Sequence, residues 1–240
     1  MVAVDRTDWM DLLGLSDGEV PRLLVLEPTW WRRRTAESRL QHFDAVRELG
    51  MPDLWLGWFG GVPIAFSTAY GASRVVEPLH ALGTCGTPVV VQVGPCSALQ
   101  PTVRRGDVVL PEQALVGEGV SQYYGGQDVA YANLGRLTRA ASMLAGRGLH
   151  VHRGSVVTAG ARLRQPPELL EEWAAAGHLA VDLTTSAVFS AAAAFSMRAT
   201  SIMWCREERA ERPWSTSLRE DPPAQDDVSE LVYEVALSLA

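Results

Sequence analysis

The segment spanning residues 89–109 constrains the fold more than any other part of the chain. A β-branched run at residues 88–93 leads into Gly94 and a stretch of small residues, and a second β-rich run follows at residues 106–111. Runs of this kind are typical of buried strands. Ligands of α/β proteins bind at the carboxyl ends of strands, where backbone N–H groups are exposed. We therefore predict a strand that ends at Gly94, in a turn that forms part of a ligand site.

The rest of the chain alternates between strand and helix patterns. Two β runs at residues 54–59 and 62–68 are separated by two glycines, which is typical of a hairpin. Residues 33–49 have apolar residues at helical spacing and stop before a glycine, which predicts one helix. This alternation predicts an α/β fold, namely a single domain with a mixed central β-sheet flanked by helices. We expect it to cover residues 1–240, with residues 1–20 as an N-terminal extension.

Composition excludes several classes of function. The chain has 240 residues, a length typical of one domain. Its net charge of −7 argues against a general nucleic-acid binder, which would present a basic face. All 21 basic residues are arginines. Because the chain has no lysine, it can form neither a Schiff base on lysine nor the lysine contact of a P-loop.

Cysteine and histidine spacing does not favour a metal centre. The three cysteines form no CxxC pair, and the five histidines form no HExxH pattern. His150 and His152 alternate along a predicted strand, and metal binding there is the less favoured alternative, so we predict neither metal nor cofactor. The N-terminus carries acidic residues rather than an apolar leader, and no apolar run approaches the roughly 20 residues of a membrane helix. We expect a cytoplasmic protein without membrane or nucleic-acid partners.

Three segments carry a recognisable pattern: residues 67–72, 92–101 and 105–109. In order and spacing the chain resembles the nucleoside phosphorylase superfamily, on the branch of hexameric purine nucleoside phosphorylase, uridine phosphorylase and the nucleosidases. The resemblance covers roughly residues 22–240. It implies a nucleoside phosphorylase-like fold, a small-molecule substrate, and a homo-oligomer between a dimer and a hexamer.

The resemblance also implies site residues. Glu207 stands where the purine enzymes place a catalytic aspartate, which implies that it is a general acid for the leaving base. The residues implied to bind substrate are Gln92, Gly94, Cys96, Ser97, Arg74, Arg162, Asp182, Leu183 and Thr184.

Several of these positions depart from the family pattern. Phosphorolytic members hold phosphate with a glycine in the first strand turn and an Arg-x-Gly-Ser/Thr segment. Here the first turn follows Glu27, which would repel phosphate if it faced the site. Gln92 replaces the arginine, and Pro95 removes a hydroxyl and an N–H donor. Arg74, or one of residues 32–34, is the candidate to restore the charge.

The sugar site departs as well, because Thr184 stands where the family has a glutamate that grips two ribose hydroxyls. The sequence predicts a nucleoside phosphorylase-like enzyme that acts on a nucleoside or a related N-glycoside. The altered turn argues against phosphate and leaves hydrolysis open. Two alternatives remain: a repurposed biosynthetic enzyme that acts on a different small molecule, and a binding member without catalytic activity.

Overall fold

A computed structural model describes residues 4–208 and 227–240. Residues 1–3 and 209–226, which the single-domain prediction includes, lie outside the described residues. The helices in the described ranges are α1 (Arg6–Leu13), α2 (Arg32–Arg39), α3 (Ala72–Cys85), α4 (Leu134–Gly146), α5 (Pro167–Ala175), α6 (Thr185–Ala194) and α7 (Asp227–Leu237). The strands there are β1 (Leu23–Leu26), β2 (Asp44–Glu48), β3 (Leu54–Phe59), β4 (Val62–Ser67), β5 (Val89–Ala98), β6 (Val108–Gly117), β7 (Val129–Tyr131), β8 (Val151–Ala159), β9 (Ala180–Asp182) and β10 (Arg198–Glu207).

The strands form one mixed sheet in the order β10-β6-β8-β9-β5-β1-β4-β3-β2, with β7 paired to β6. β10 also pairs with β5, so five strands (β5, β10, β6, β8 and β9) close into a ring. Strands β1, β4, β3 and β2 extend from β5 as an open wing. The mixed sheet with helices on its faces confirms the predicted fold class.

β5 is the strand that positions the site. β10 lies parallel along one of its edges from Val89 to Ser97. On the other edge, β1 pairs up to Gln92 and β9 pairs from Ser97 onward. In the described pairings, residues 93–96 therefore have a strand neighbour on one side only. The prediction that the strand ends at Gly94 is wrong, because pairing with β10 carries the strand on to Ala98.

Helices cover both faces of the sheet. Buried residues of α1, α3 and α6 pack together on one face, and those of α2, α4 and α7 pack on the other. α6 is almost entirely buried, since its small side chains let it approach the sheet closely. This close approach brings the N-terminus of α6 to the end of β9. None of the helices in the described ranges has the length and apolar character that a membrane crossing needs.

The predicted helix over residues 33–49 is wrong beyond α2. α2 ends at Arg39, and Asp44–Glu48 form the edge strand β2, antiparallel to β3. β2 contains a register shift, with Ala45 at a positive φ of 49°. Pairing with β3 supplies the backbone hydrogen bonds that a helix would otherwise have made, so tertiary context overrides local helix preference.

Candidate active site

A cleft opens beside the unpaired edge of β5. Its walls come from β5, the β9–α6 turn, the β8–α5 loop and the end of β10, and it encloses about 680 Å³ with its open mouth included. The predicted site residues that line it are Gln92, Gly94, Cys96, Ser97, Arg162, Asp182, Leu183, Thr184 and Glu207. Arg74 is the predicted site residue that is not among the lining residues. The cleft is also lined by Tyr70, Pro28 and Gln165, which are not among the predicted site residues.

Glu207 is held from two sides at one end of the cleft. Ser97 Oγ donates a 2.9 Å hydrogen bond to Oε2 of Glu207. Arg162 Nη2 donates to the other carboxylate oxygen at 3.3 Å. The Glu207 side chain is 19% exposed, so the carboxylate is largely enclosed but can be reached from the cleft. A carboxyl group in this setting is suited to exchange a proton with a bound molecule.

Asp182 is the centre of a buried hydrogen-bond network at the start of α6. Its Oδ2 accepts bonds from the backbone N–H groups of Thr184 and Thr185, at 2.9 and 2.8 Å. The Thr185 hydroxyl donates to the same oxygen at 2.8 Å, and Thr158 Oγ1 donates to Oδ1 at 2.8 Å. The protein's own donors thus engage both oxygens, and the carboxylate caps α6. Asp182 is placed to position its neighbours rather than to present a free acceptor.

Gln92 faces the same network and leaves one atom without a partner. Its Nε2 donates to Asp182 Oδ2 at 3.3 Å and contacts Thr185 Oγ1 at 3.1 Å. Because a carboxylate of this kind accepts but does not donate, this contact fixes which way the amide faces. Gln92 is 2% exposed, and its Oε1 has no hydrogen-bond partner among the residues that the structure describes. A buried acceptor that lines a cleft and lacks a partner favours a ligand with an N–H or O–H group at that point.

The sugar-binding position predicted at Leu183 and Thr184 lies in the cleft wall. Thr184 is 4% exposed, and its hydroxyl donates to Asp182 at 3.2 Å. Leu183 lines both the cleft and an adjoining apolar recess that contains Trp30. A Cβ added to Gly94 would meet no atom within 4 Å. The absence of a side chain there therefore leaves the space above β5 open for a ligand.

Cys96 lines the cleft but is not suited to be a nucleophile. It is 4% exposed and lies opposite Cys205 in the β5–β10 register. Burial raises the pKa of the Cys96 thiol well above its ordinary value. Burial also raises the pKa of Cys205 to about 11. A thiol reacts as its thiolate, so both side chains are small buried groups here.

Glu27, which would repel phosphate if it faced the site, is not among the residues that line the cleft. Glu27 is 5% exposed and receives two hydrogen bonds from Arg39, at 2.8 and 3.2 Å. Arg39 also binds Glu230 of α7 at 2.5 Å and lies over the Tyr233 ring, 4.7 Å from its centroid. The Glu27 charge is therefore paired inside the protein, between α2 and α7.

Two of the arginines proposed to replace the missing phosphate contact are engaged elsewhere. Arg74, on α3, binds Glu77 at 2.6 Å, and its side chain is 48% exposed. Arg32 binds Asp53 at 2.5 Å. Neither lines the cleft, so neither restores the charge lost at Gln92.

Comparison with known proteins shows that the chain is similar to nucleoside phosphorylases. The model of the phosphorylase superfamily matches residues 52–237. A DeoD-type purine nucleoside phosphorylase of Geobacillus kaustophilus is 34% identical over 196 residues, covering 80% of this chain and 83% of the relative. One from Alkaliphilus metalliredigens is 24% identical, covering 80% and 84%. The structure of uridine phosphorylase from Vibrio fischeri superposes with a TM-score of 0.80 at 21% identity, covering 94% of this chain and 93% of that one.

Proposed function

This chain belongs to the phosphorylase superfamily, and from that premise we propose that it cleaves the N-glycosidic bond of a nucleoside or a related N-glycoside. The observation that carries the proposal is the position of Glu207, which lines the same cleft as Gln92 and Gly94. The relatives named above are phosphorylases, which supports a reaction at a glycosyl bond. The residues of this chain then indicate how the reaction would run.

Glu207 is the group we assign to protonating the leaving base. As the bond between the sugar carbon and the base nitrogen breaks, the electron pair goes to the nitrogen and the Glu207 proton follows it. The Ser97 hydroxyl orients the carboxyl group. Arg162 pairs with Glu207 at 3.3 Å, and in the proposed reaction the substrate draws Arg162 out of this pair. Arg162 would then contact the substrate, as the sequence predicts.

We assign water rather than phosphate as the nucleophile. A phosphate dianion is bound most strongly by arginine pairs and by rows of N–H donors. At this turn the Oε1 atom of Gln92 is an acceptor without a partner among the described residues, and it offers no hydrogen bond to phosphate oxygens. Pro95 lacks an N–H, and the carboxylate of Asp182 lies directly behind Gln92. Water would attack the sugar carbon, form the new C–O bond and release its second proton to solvent.

A panel of purine and pyrimidine nucleosides, incubated with and without inorganic phosphate, tests this proposal. We expect free base to appear without phosphate, at a rate that phosphate does not raise. Free sugar rather than sugar phosphate should accumulate in equal amount. Release that requires phosphate would refute the assignment of water, and release of base from no member of the panel would refute glycoside cleavage.

A second candidate is a repurposed enzyme that acts on an anionic small molecule. The observation in its favour is that Arg206 and Arg162 both line the cleft beside Glu207. Two guanidinium groups near one carboxylate suit a carboxylate-bearing ligand. Thermal stabilisation by anionic metabolites in the absence of any nucleoside cleavage would favour this candidate.

We also propose that the chain assembles as a homo-oligomer. Trp30 and Leu163 are 59% and 60% exposed and line the apolar recess beside the cleft. Large apolar side chains exposed together are typical of surfaces that another protein or a ligand covers. Light scattering on the purified chain measures the mass directly, and a monomer at all concentrations would contradict the proposal.

A further inference from the structure

We propose that Asp107, His150 and His152 form a binding site for a divalent transition cation of the zinc type. The site lies apart from the residues that line the cleft. It uses three protein ligands and leaves further coordination positions to water. Sequence spacing alone showed two of these side chains, and only the sheet pairing adds the third.

The sheet register explains why the three groups meet. Asp107 immediately precedes β6, whose Val108 and Val109 pair in parallel with Val151 and His152 of β8. Side chains alternate between the two faces of a sheet, so residues 107 and 109 share a face with residues 150 and 152. The aspartate and both histidines therefore project from the same face of two adjacent strands.

The distances suit a small metal ion. Asp107 Oδ2 lies 3.2 Å from His150 Nδ1 and 2.8 Å from His152 Nε2. The three ligand atoms all lie within 4.8 Å of one another. Tetrahedral zinc binds donors at ~2.0–2.1 Å, which places neighbouring donors about 3.3 Å apart. The two distances from Asp107 Oδ2 to the imidazole nitrogens therefore lie within about half an ångström of the spacing in a zinc site.

The carboxylate is already held in place without the metal. The backbone N–H of Arg104 donates to Asp107 Oδ2 at 2.9 Å. The Arg104 guanidinium is paired with Glu208 at 3.2 Å, which draws its charge toward that carboxylate. These contacts hold the Asp107 carboxylate at the position where its Oδ2 meets both imidazoles.

The two imidazoles provide both rigidity and access. The His152 side chain is 15% exposed and the His150 side chain is 70% exposed, so one ligand is fixed and the other faces solvent. Their ring centroids are 4.5 Å apart. One ring nitrogen of each histidine converges on the same carboxylate oxygen of Asp107. A cation placed between the three groups would be bound by all of them at once.

Titration calorimetry with Zn²⁺ alone, on tag-free protein first stripped of metal, tests this site. We expect one ion per chain and a rise in the unfolding temperature, because binding to the native state stabilises it. Mg²⁺ should have no comparable effect, since it prefers oxygen ligands. His150→Asn and His152→Asn should each weaken Zn²⁺ binding by at least about tenfold, the lower end of the loss seen even for outer-sphere partners of metal ligands.

His178→Asn is the matched control. His178 lies outside the proposed site, where its Nδ1 bonds to Ser155 Oγ at 2.8 Å. That variant should bind Zn²⁺ as the unaltered chain does. Because His150 is largely exposed, His150→Asn should fold normally, which unfolding curves without metal will check. Absence of binding at a large molar excess of Zn²⁺ would overturn the proposal. Binding that persists in the His150→Asn/His152→Asn double variant would overturn it as well.

Discussion

Ser97 and Glu207 form a hydrogen bond of 2.9 Å at the point where β5 and β10 shift their register. Cys96 pairs with Cys205, but Ser97 pairs with Glu207, so β10 carries one extra residue, Arg206, at this point. Bulges of this kind bend a strand and redirect its side chains, and they are frequent beside active sites. Here the shift places the carboxylate of Glu207 in the wall of the cleft.

Glu207→Gln should abolish most of the turnover. The amide cannot donate the proton that the leaving base requires, and loss of a general acid typically lowers kcat by about 10²–10⁴-fold. Release of free base, followed by absorbance or chromatography, measures the effect. Glu208→Gln is the matched control, because Glu208 binds Arg104 and the Arg105 backbone and does not line the cleft. Equal losses in both variants would remove the acid role from Glu207.

Gln92→Leu should weaken substrate binding more than it weakens the fold. The substitution removes the unpartnered acceptor from the cleft and one of the donors to Asp182. Loss of one hydrogen bond to the ligand costs about 1–3 kcal/mol, which corresponds to a rise in KM of roughly 5- to 150-fold. Gln41→Leu, which removes an exposed amide on the surface, controls for the loss of a glutamine. An unchanged KM would show that Gln92 does not contact the substrate.

Arg39→Met should be strongly destabilising. The guanidinium and the Glu27 carboxylate are 3% and 6% exposed, so the substitution leaves a buried negative charge without its partner. Breaking such a pair from one side costs about 3–5 kcal/mol. Urea unfolding measures the difference in free energy. Arg33→Met, at a side chain that is 94% exposed, should change it by less than about 0.5 kcal/mol.

A variant that replaces both residues of the buried pair tests whether the loss in Arg39→Met comes from the unpaired charge of Glu27. Arg39→Met combined with Glu27→Leu should restore part of the stability that Arg39→Met loses, because no unpaired charge then remains at position 27. A double variant that is no more stable than Arg39→Met would show that the unpaired charge of Glu27 is not the cause of the loss.

Glu19 should make the stability of the chain depend on acid pH. Hydrogen bonds from the Ser16 hydroxyl and backbone, with a further bond from Arg47, lower the pKa of Glu19 to about 2. Because the folded pKa lies below the unfolded value, this contribution is fully present above about pH 4.5 and is lost as the pH falls toward 2. Glu19→Gln should therefore lose more stability at about pH 7 than at about pH 3.

The unfolding midpoints of Glu19→Gln and of the unaltered chain, each measured at both pH values, provide the test. Glu37→Gln is the control, since Glu37 is an exposed carboxylate whose side chain is 64% accessible. A constant difference between Glu19→Gln and the unaltered chain at both pH values would contradict the assignment.

Much of the fold followed from local patterns. The hairpin of β3 and β4 was readable from alternating apolar runs around two glycines, and the structure places both strands where the pattern indicated. Asp44–Glu48 was misread because an exposed edge strand has little periodicity of its own. Its conformation is set by pairing with β3, a partner that the local sequence does not identify.

The candidate site was readable in part as well. Family resemblance and strand order indicated Gln92, Ser97 and Glu207, and the structure brings these residues to one cleft. The resemblance did not reveal that the Asp182 oxygens are occupied by the protein's own donors. Nor did it show that Arg74 binds Glu77 on the surface of α3. Such partners depend on contacts between segments far apart in the chain.

The sequence by itself determined the class of the fold, and it indicated the strand whose residues line the cleft and the positions that differ from the phosphate-binding pattern of the family. These are local properties, since hydrophobic periodicity and residue type act within a few positions. Tertiary structure alone decided that Glu27 is neutralised by Arg39, that Gln92 leaves an acceptor without a partner, and that Asp107 meets His150 and His152. In each case the energy of a charge or polar group depends on which neighbour replaces its water, and the sheet register selects that neighbour.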